Sequence, residues 1–355
     1  MDEAIRAFAD TMAEALVKNP KFLWGRPAYL RAFARIGAQI KKREKQRAQL
    51  LKREGLVVPP VLILSVTGAC NLKCQGCYAC ERRGEAEMSI EEIRRVVAEA
   101  EALGVAAVLL AGGEPLMKQG ILSLPEAHPG TLFAMFTNGL LLKESDCPDN
   151  LVPVVSLEGG KEKTDARRGA GVFDAVRTLV ARLSAQNRLF GVSVTLTCNN
   201  FDEVVSPAFL SALEADGCRA AFLIEYVPTG EDDVSLCLTE EQKQRLRALE
   251  PEFVRDYHML VVPLPGDESR YGGCLAAGRG FLHISASGRL EACPFAPYSD
   301  TDVRGRPLRE ALASPLLARI REGHSQLTES RGGCALRENA EWVASLRAET
   351  PETAE

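Results

Sequence analysis

From residue 61 onward the chain alternates short, almost wholly apolar runs with longer amphipathic stretches. Strands are expected at 61–66, 105–111, 131–137, 152–157, 190–197 and 220–227. Helices are expected between them at 89–103, near 116–123, near 140–145, at 172–186 and at 203–215. Near-continuous apolar runs mark strands covered on both faces. Ser89, followed three residues later by Glu92, predicts a capping box at the first of these helices. Six strand–helix units predict a parallel, right-handed α/β fold, either a partial barrel or an open sheet. Ahead of it, residues 3–18 and about 26–54 read as helices, the second ended by Gly55 and Pro59-Pro60. Behind it, 239–254 reads as a helix with Thr239 at its N-cap, and 263–273 as a Pro/Gly-rich link. Residues 281–292 carry a short hairpin signal.

In such a fold, functional groups gather on loops after the strands' C-terminal ends. Four distinctive loops sit there. Val66-Thr67-Gly68-Ala69-Cys70-Asn71-Leu72-Lys73-Cys74-Gln75-Gly76-Cys77 leaves the first strand. Gly112-Gly113-Glu114-Pro115 follows the second, Asn138-Gly139 the third and Glu158-Gly159-Gly160 the fourth.

Composition adds little until charge and cysteine are considered. The chain is 355 residues long, 46% hydrophobic and 26% charged, as ordinary globular proteins are. No apolar run approaches the roughly 20 residues of a membrane span. The N-terminus lacks a secretory pattern, so the cytoplasm is the expected compartment. Residues 1–59 carry a net charge of +7 and the remainder −12. The acidic body argues against nucleic acid as a partner. The basic amphipathic arm reads either as external packing or as a surface for anionic membranes or an acidic partner. Phe22, Leu23 and Trp24 beside Lys18, Lys21 and Arg26 favour the latter.

Eleven cysteines in a reducing compartment point to metal ligation before disulfides. Cys70, Cys74, Cys77 and Cys80 cluster. Cys274, Cys293 and Cys334 lie near the C-terminus, and Cys147, Cys198, Cys218 and Cys237 read as small apolar fillers. Three thiolates within eight residues suit an iron–sulfur cluster. Since such clusters usually take four cysteines, three leave an iron open. Cys80, read as a fourth ligand, would close the site and leave the glycine-rich loop without a purpose.

Cys-x3-Cys-x2-Cys after one strand and Gly-Gly-Glu-Pro after the next resemble the radical S-adenosylmethionine (SAM) superfamily over roughly residues 61–230. The resemblance implies a partial (β/α)6 TIM-like barrel. It implies a [4Fe–4S] cluster on Cys70, Cys74 and Cys77, with SAM chelating the open iron. Reductive cleavage then gives a 5′-deoxyadenosyl radical that abstracts substrate hydrogen. It further implies SAM contacts from Gly112, Gly113, Glu114 and Pro115, with Glu114 accepting from the SAM ammonium. Ser156 and Glu158 fall near the ribose, and Arg168 suits a carboxylate. Thr195 and Thr197 are polar lining, and Tyr226 falls near adenine. Many members carry an aromatic residue before the third cysteine. Here that place is Gly76, and Tyr78, just after Cys77, is the expected substitute.

Cys274-x13-Gly288-x4-Cys293 resembles the opening of the SPASM and twitch domains. The dense cysteine run of a full SPASM domain is absent, so Cys274, Cys293 and Cys334 imply one auxiliary [4Fe–4S] cluster with an unnamed fourth ligand. A zinc site using these three and His283 or His324 is the alternative. The expected organisation is a helical extension (1–59), the barrel (60–238), a helix and linker (239–273), a small cysteine-rich α+β auxiliary domain (274–340) and a tail (341–355). The expected partners are a reductant such as flavodoxin or ferredoxin and a small-molecule, lipid or peptide substrate. The alternatives are a SPASM-type peptide maturase, or a non-catalytic iron–sulfur electron carrier.

Overall fold

The computed structural model describes residues 27–143, 147–228, 231–264, 274–327 and 334–348. The helix expected at 3–18, the Phe22-Leu23-Trp24 segment and most of the 263–273 link lie outside these residues. One nine-stranded sheet organises the rest, in the order β7-β6-β5-β4-β3-β2-β1-β8-β9. The six expected strands are β1 (Val61–Thr67), β2 (Ala107–Gly112), β3 (Leu132–Thr137), β4 (Leu151–Leu157), β5 (Gly191–Leu196) and β6 (Ala220–Glu225). Their pairings are all parallel, and sequential strands are neighbours.

Three further strands join them. Leu260–Leu264 (β7) pairs in parallel with β6, within the stretch read from sequence as a helix and linker. Phe281–Ile284 (β8) and Leu290–Glu291 (β9) form the expected hairpin. In addition β8 pairs in parallel with β1, so this segment extends the main sheet. A long helix, α1 (Pro27–Glu54), precedes the sheet, and α2 (Ile90–Leu103) links β1 to β2. The Ser89 hydroxyl accepts from the Glu92 amide at 3.1 Å and the Glu92 carboxylate accepts from the Ser89 amide at 2.7 Å, so the capping box forms as its sequence requires.

The sheet is strongly curved. The rings of Phe136 on β3 and Phe222 on β6 are 5.8 Å apart, although two strands separate theirs. At about 4.8 Å per strand, a flat sheet would hold their backbones about 14 Å apart. The two rings therefore meet across a concave face, as a partial barrel requires. Strand register places Ile63, Leu109, Ala134, Val152, Ser193 and Phe222 on that face. Alternation extends the set along all eight parallel strands. Among the described residues it holds no Asp, Glu, Lys or Arg, and its one ionisable side chain is His283. The opposite face supplies Leu62, Leu64, Leu110, Phe133, Met135 and Val194 to the core under the helices, α2 contributing Ile93, Val96 and Val97.

Candidate active site

The cysteine loop is held at its root by Glu87 and from three further sides by the C-terminal ends of β2 and β3 and the segment after β4. Thr67 ends β1 with its hydroxyl donating to Glu87 at 2.7 Å, and the same carboxylate accepts from the Gly68 amide at 2.7 Å. From β2, the Gly113 amide donates to the Thr67 carbonyl at 2.7 Å and the Glu114 amide to the Ala69 carbonyl at 2.8 Å. From β3, Asn138 donates to the Asn71 side chain at 2.7 Å. After β4, α3 (Lys161–Arg168) grips Gln75 through its carbonyl and amide, by Arg167 Nε at 3.1 Å and the Arg167 carbonyl at 3.3 Å. The glycines at 112 and 113 are needed for this closeness. A Cβ at Gly113 would lie 2.1 Å from the Ala69 carbonyl oxygen, and one at Gly112 would lie 2.4 Å from that of Thr67.

The thiols are near enough to act on one another. Cys70 and Cys74 are both pushed up by burial, and Cys77 acts on each. Cys80 is likewise raised by burial and then by Cys77, so it stands beside the triplet. Among the described residues, no three His, Cys, Asp or Glu side chains converge on a single metal ion. A four-iron cluster asks less, since each thiolate binds a separate iron. Three close, half-buried thiols on a tethered loop fit that group.

Glu114 is engaged within the protein. It is 1% exposed, and its oxygens accept from the Thr137 hydroxyl at 2.8 Å, the Asn138 amide at 2.8 Å and the Leu116 amide at 3.2 Å. Burial raises its pKa against those three bonds. The carboxylate thus ties β2 to β3.

Glu158 is the opposite case. It is also 1% exposed. Its Oε1 accepts from Arg167 Nη1 at 2.6 Å and from Arg168 Nε at 2.8 Å, while Oε2 is buried with no hydrogen-bond partner among the described residues. An orphaned buried acceptor is costly, so it marks a place built for a ligand's donor. Arg168 is nearly buried. Burial opposes its charge, but Glu158 and then Cys74 outweigh it. Arg167 also donates to Thr195 at 2.9 Å. Sequence reading chose Arg168 and passed over its neighbour Arg167, and it expected no helix at Lys161–Arg168. Ser156 shares a 3.2 Å contact with Ser193 on the concave face. Thr197 caps the β5 loop through Asn200.

Tyr226 lies over the cysteine loop. Gly76 has φ +62°, and a Cβ there would meet the Tyr226 hydroxyl at 2.6 Å. The aromatic cover missing beside Cys77 in sequence is therefore supplied in space by Tyr226. Tyr78 turns away, its ring meeting Phe295 edge-on at 5.1 Å.

That contact leads to the second cysteine group. Cys293 is buried, and its thiol is pushed well up by burial and then by Cys334 and Cys274, so the structure brings these three together. The segment after Cys77 ties the two groups. Arg82 donates to Glu291 at 2.8 Å and to the Pro294 carbonyl at 3.3 Å. His283 bridges Glu291 at 2.9 Å and Ser65 at 2.8 Å. Both its ring nitrogens are engaged, so it is not free for zinc. His324 faces the Arg321 carbonyl at 2.6 Å. Of the scattered cysteines, Cys147 and Cys218 are buried as expected of fillers, whereas Cys198 and Cys237 are half-buried.

The Radical SAM superfamily profile matches residues 64–202, the stretch from β1 through the cysteine loop to the end of β5. The mycofactocin maturase MftC of Mycolicibacterium smegmatis is 30% identical over 311 residues, covering 79% of this chain and 76% of that protein. The chain belongs to the radical SAM superfamily. It is an enzyme, and the superfamily's [4Fe–4S] cluster and SAM are its cofactors. An AdoMet-dependent heme synthase of Methanosarcina barkeri is 25% identical over 326 residues, 82% of this chain and 91% of that one. Streptococcus suis SuiB, solved with S-adenosylmethionine, shares the radical SAM fold at a TM-score of 0.66 and 16% identity, covering 87% of this chain and 79% of SuiB.

Proposed function

We propose that this radical SAM enzyme acts on an apolar carbon of a polypeptide side chain. The observation that carries the reading is the uncharged concave wall. A phosphorylated or carboxylate-rich metabolite would need buried counter-charges there, because an unpaired buried charge is prohibitive. An aliphatic or aromatic group fits against Phe136, Phe222, Ile63 and Leu109. The similarity to a maturase supports a peptide. A small metabolite with one apolar end is the second reading, favoured by an auxiliary segment with three cysteines only.

In this proposal Cys70, Cys74 and Cys77 hold the cluster. The Gly112–Pro115 backbone and Arg168 receive the amino-acid end of SAM, and the orphaned Glu158 Oε2 receives a ribose hydroxyl. Ser156, Thr195 and Tyr226 border the same space. Bound together, cluster and SAM supply hydrogen-atom abstraction after reductive SAM cleavage. The chain's own work is to orient and to exclude water. Tyr226 covers the loop, and the apolar wall keeps water from the site. Cys274, Cys293 and Cys334 hold a second cluster, and flavodoxin or ferredoxin supplies the electron.

Anaerobic incubation with SAM and dithionite tests this. Wild type forms 5′-deoxyadenosine, and Cys70→Ala forms none. Phe222→Arg, which charges the wall, keeps this uncoupled cleavage but loses any stimulation by apolar peptides. Equal stimulation of wild type and Phe222→Arg would sink the substrate assignment.

A further inference from the structure

The superfamily chemistry leaves α1 without a role. This helix lies under the barrel, at the N-terminal ends of the strands. The Leu189 amide, just before β5, donates to the Tyr29 hydroxyl at 3.0 Å, and Arg43 donates to the Val105 carbonyl, just before β2, at 3.1 Å. Arg43 also pairs with Glu101, and Arg47 donates to the Gly104 carbonyl. One face is thus docked, and among the described residues the opposite face is exposed at Lys41, Lys45 and Lys52. At 100° per residue, Lys41, Lys45 and Lys52 fall within roughly 40° of one another on the outward face, all exposed. Leu30, Ile40 and Leu51 lie in the adjoining sector of roughly 80°, which they share with Glu44, and are 49%, 43% and 54% exposed. On the other side a cleft of ≈ 600 Å³ between α1 and Pro129-Gly130 is lined by Arg35, Gln39, Lys42 and Gln46, with the Arg43–Glu101 pair in its wall.

We propose that the outward face of α1 docks on an anionic phospholipid surface. A row of lysines bordered on one side by exposed apolar side chains suits a plane with negative charge above and hydrocarbon below. From Leu30 to Leu51 the face runs about 31 Å at 1.5 Å per residue, and the three lysines cover about 17 Å of it. An acidic peptide would need a ledge along that length, and the cleft spans only part of it. The cleft's arginine and lysine suit a headgroup phosphate. The docked face lies at the opposite ends of the strands from Cys70, Cys74 and Cys77. A membrane-bound chain therefore keeps its active site turned to solvent, and the surface tethers the enzyme without feeding it lipid.

Full-length, anaerobically purified protein is sedimented with phosphatidylcholine vesicles and with vesicles containing 30 mol% phosphatidylglycerol (about one lipid in three). Binding is expected only to the second, weakening at 0.5 M salt. Each lysine near such a surface is worth roughly fivefold in partitioning, so Lys41→Glu/Lys45→Glu/Lys52→Glu should lose about a hundredfold or more. Ile40→Ser/Leu51→Ser should lose several-fold, a loss that charge attraction alone does not predict. Iron content and thermal midpoint should match wild type in both. Absence of binding to the anionic vesicles at 50 mM salt overturns the proposal. Binding to polyglutamate in its place assigns the face to an acidic polypeptide, and a dimer broken by the lysine reversals assigns it to a second copy.

Discussion

Gly76 shows how much one residue can hide. Sequence alone marks it as a missing aromatic, and the nearest substitute in the chain is Tyr78. In space the cover comes from Tyr226, 150 residues on. Gly76→Ala should cost about 1–3 kcal/mol, combining a left-handed backbone with a clash. Gly76→Ala/Tyr226→Ala should recover the clash and keep the backbone cost, so a urea-unfolding cycle should give a coupling near 1 kcal/mol. A coupling of zero would place Tyr226 elsewhere. Glu114 carries a related lesson. Its position after two glycines was legible, but its role was not. Pattern cannot say whether the Thr137 hydroxyl and the Asn138 amide or a ligand will reach a carboxylate first. Glu158 was legible as a strand-end acid, and Arg167 was missed because only its neighbour fitted the resemblance.

At the scale of elements, the six strands, the helices expected at 89–103, 172–186 and 203–215 and the Ser89 capping box could be read because local propensity and periodicity agree there, whereas residues 140–143 form no part of the helix expected near 140–145. β7 was missed because Pro263 sits inside Leu260-Val261-Val262-Pro263-Leu264, and proline argues against a central strand. β7 is the edge strand of the sheet, where proline is tolerated. The pairing of β8 with β1 joins residues more than 200 positions apart, beyond any local signal. That junction holds a buried polar chain, Ser65–His283–Glu291–Arg82. Arg82→Met would leave Glu291 buried without its cation and should destabilise the fold by about 3–5 kcal/mol. His283 should make stability depend on pH. Burial lowers its pKa, opposed by Glu291. The unfolded chain then binds a proton that the folded one refuses. Stability from this group is complete above the unfolded value of about 6.5 and is lost as pH falls from there toward the lower folded value. The slope is at most about 1.4 kcal/mol per pH unit. Thermal midpoints between pH 7 and 5 should drop more steeply in wild type than in His283→Gln. Parallel curves would show that His283 takes up its proton without unfolding.

Over the whole molecule, a concave wall without charge is rimmed by ionic groups. Arg167, Arg168 and Glu158 stand on one side of the cysteine loop, and Arg82 and Glu291 lead to the second cysteine group on the other. Residue types could be read from sequence, but which of them share the concave face required the register. In the arrangement proposed above, each cysteine triplet holds its own four-iron cluster, and residues 78–82 tie the two. Iron and acid-labile sulfide per chain after anaerobic purification test this most directly. The account predicts about eight irons in wild type, from two four-iron clusters. It predicts about four in Cys70→Ala/Cys74→Ala/Cys77→Ala and about four in Cys274→Ala/Cys293→Ala/Cys334→Ala. A wild type holding about four irons and one zinc, with the zinc lost only in the second variant, would contradict it.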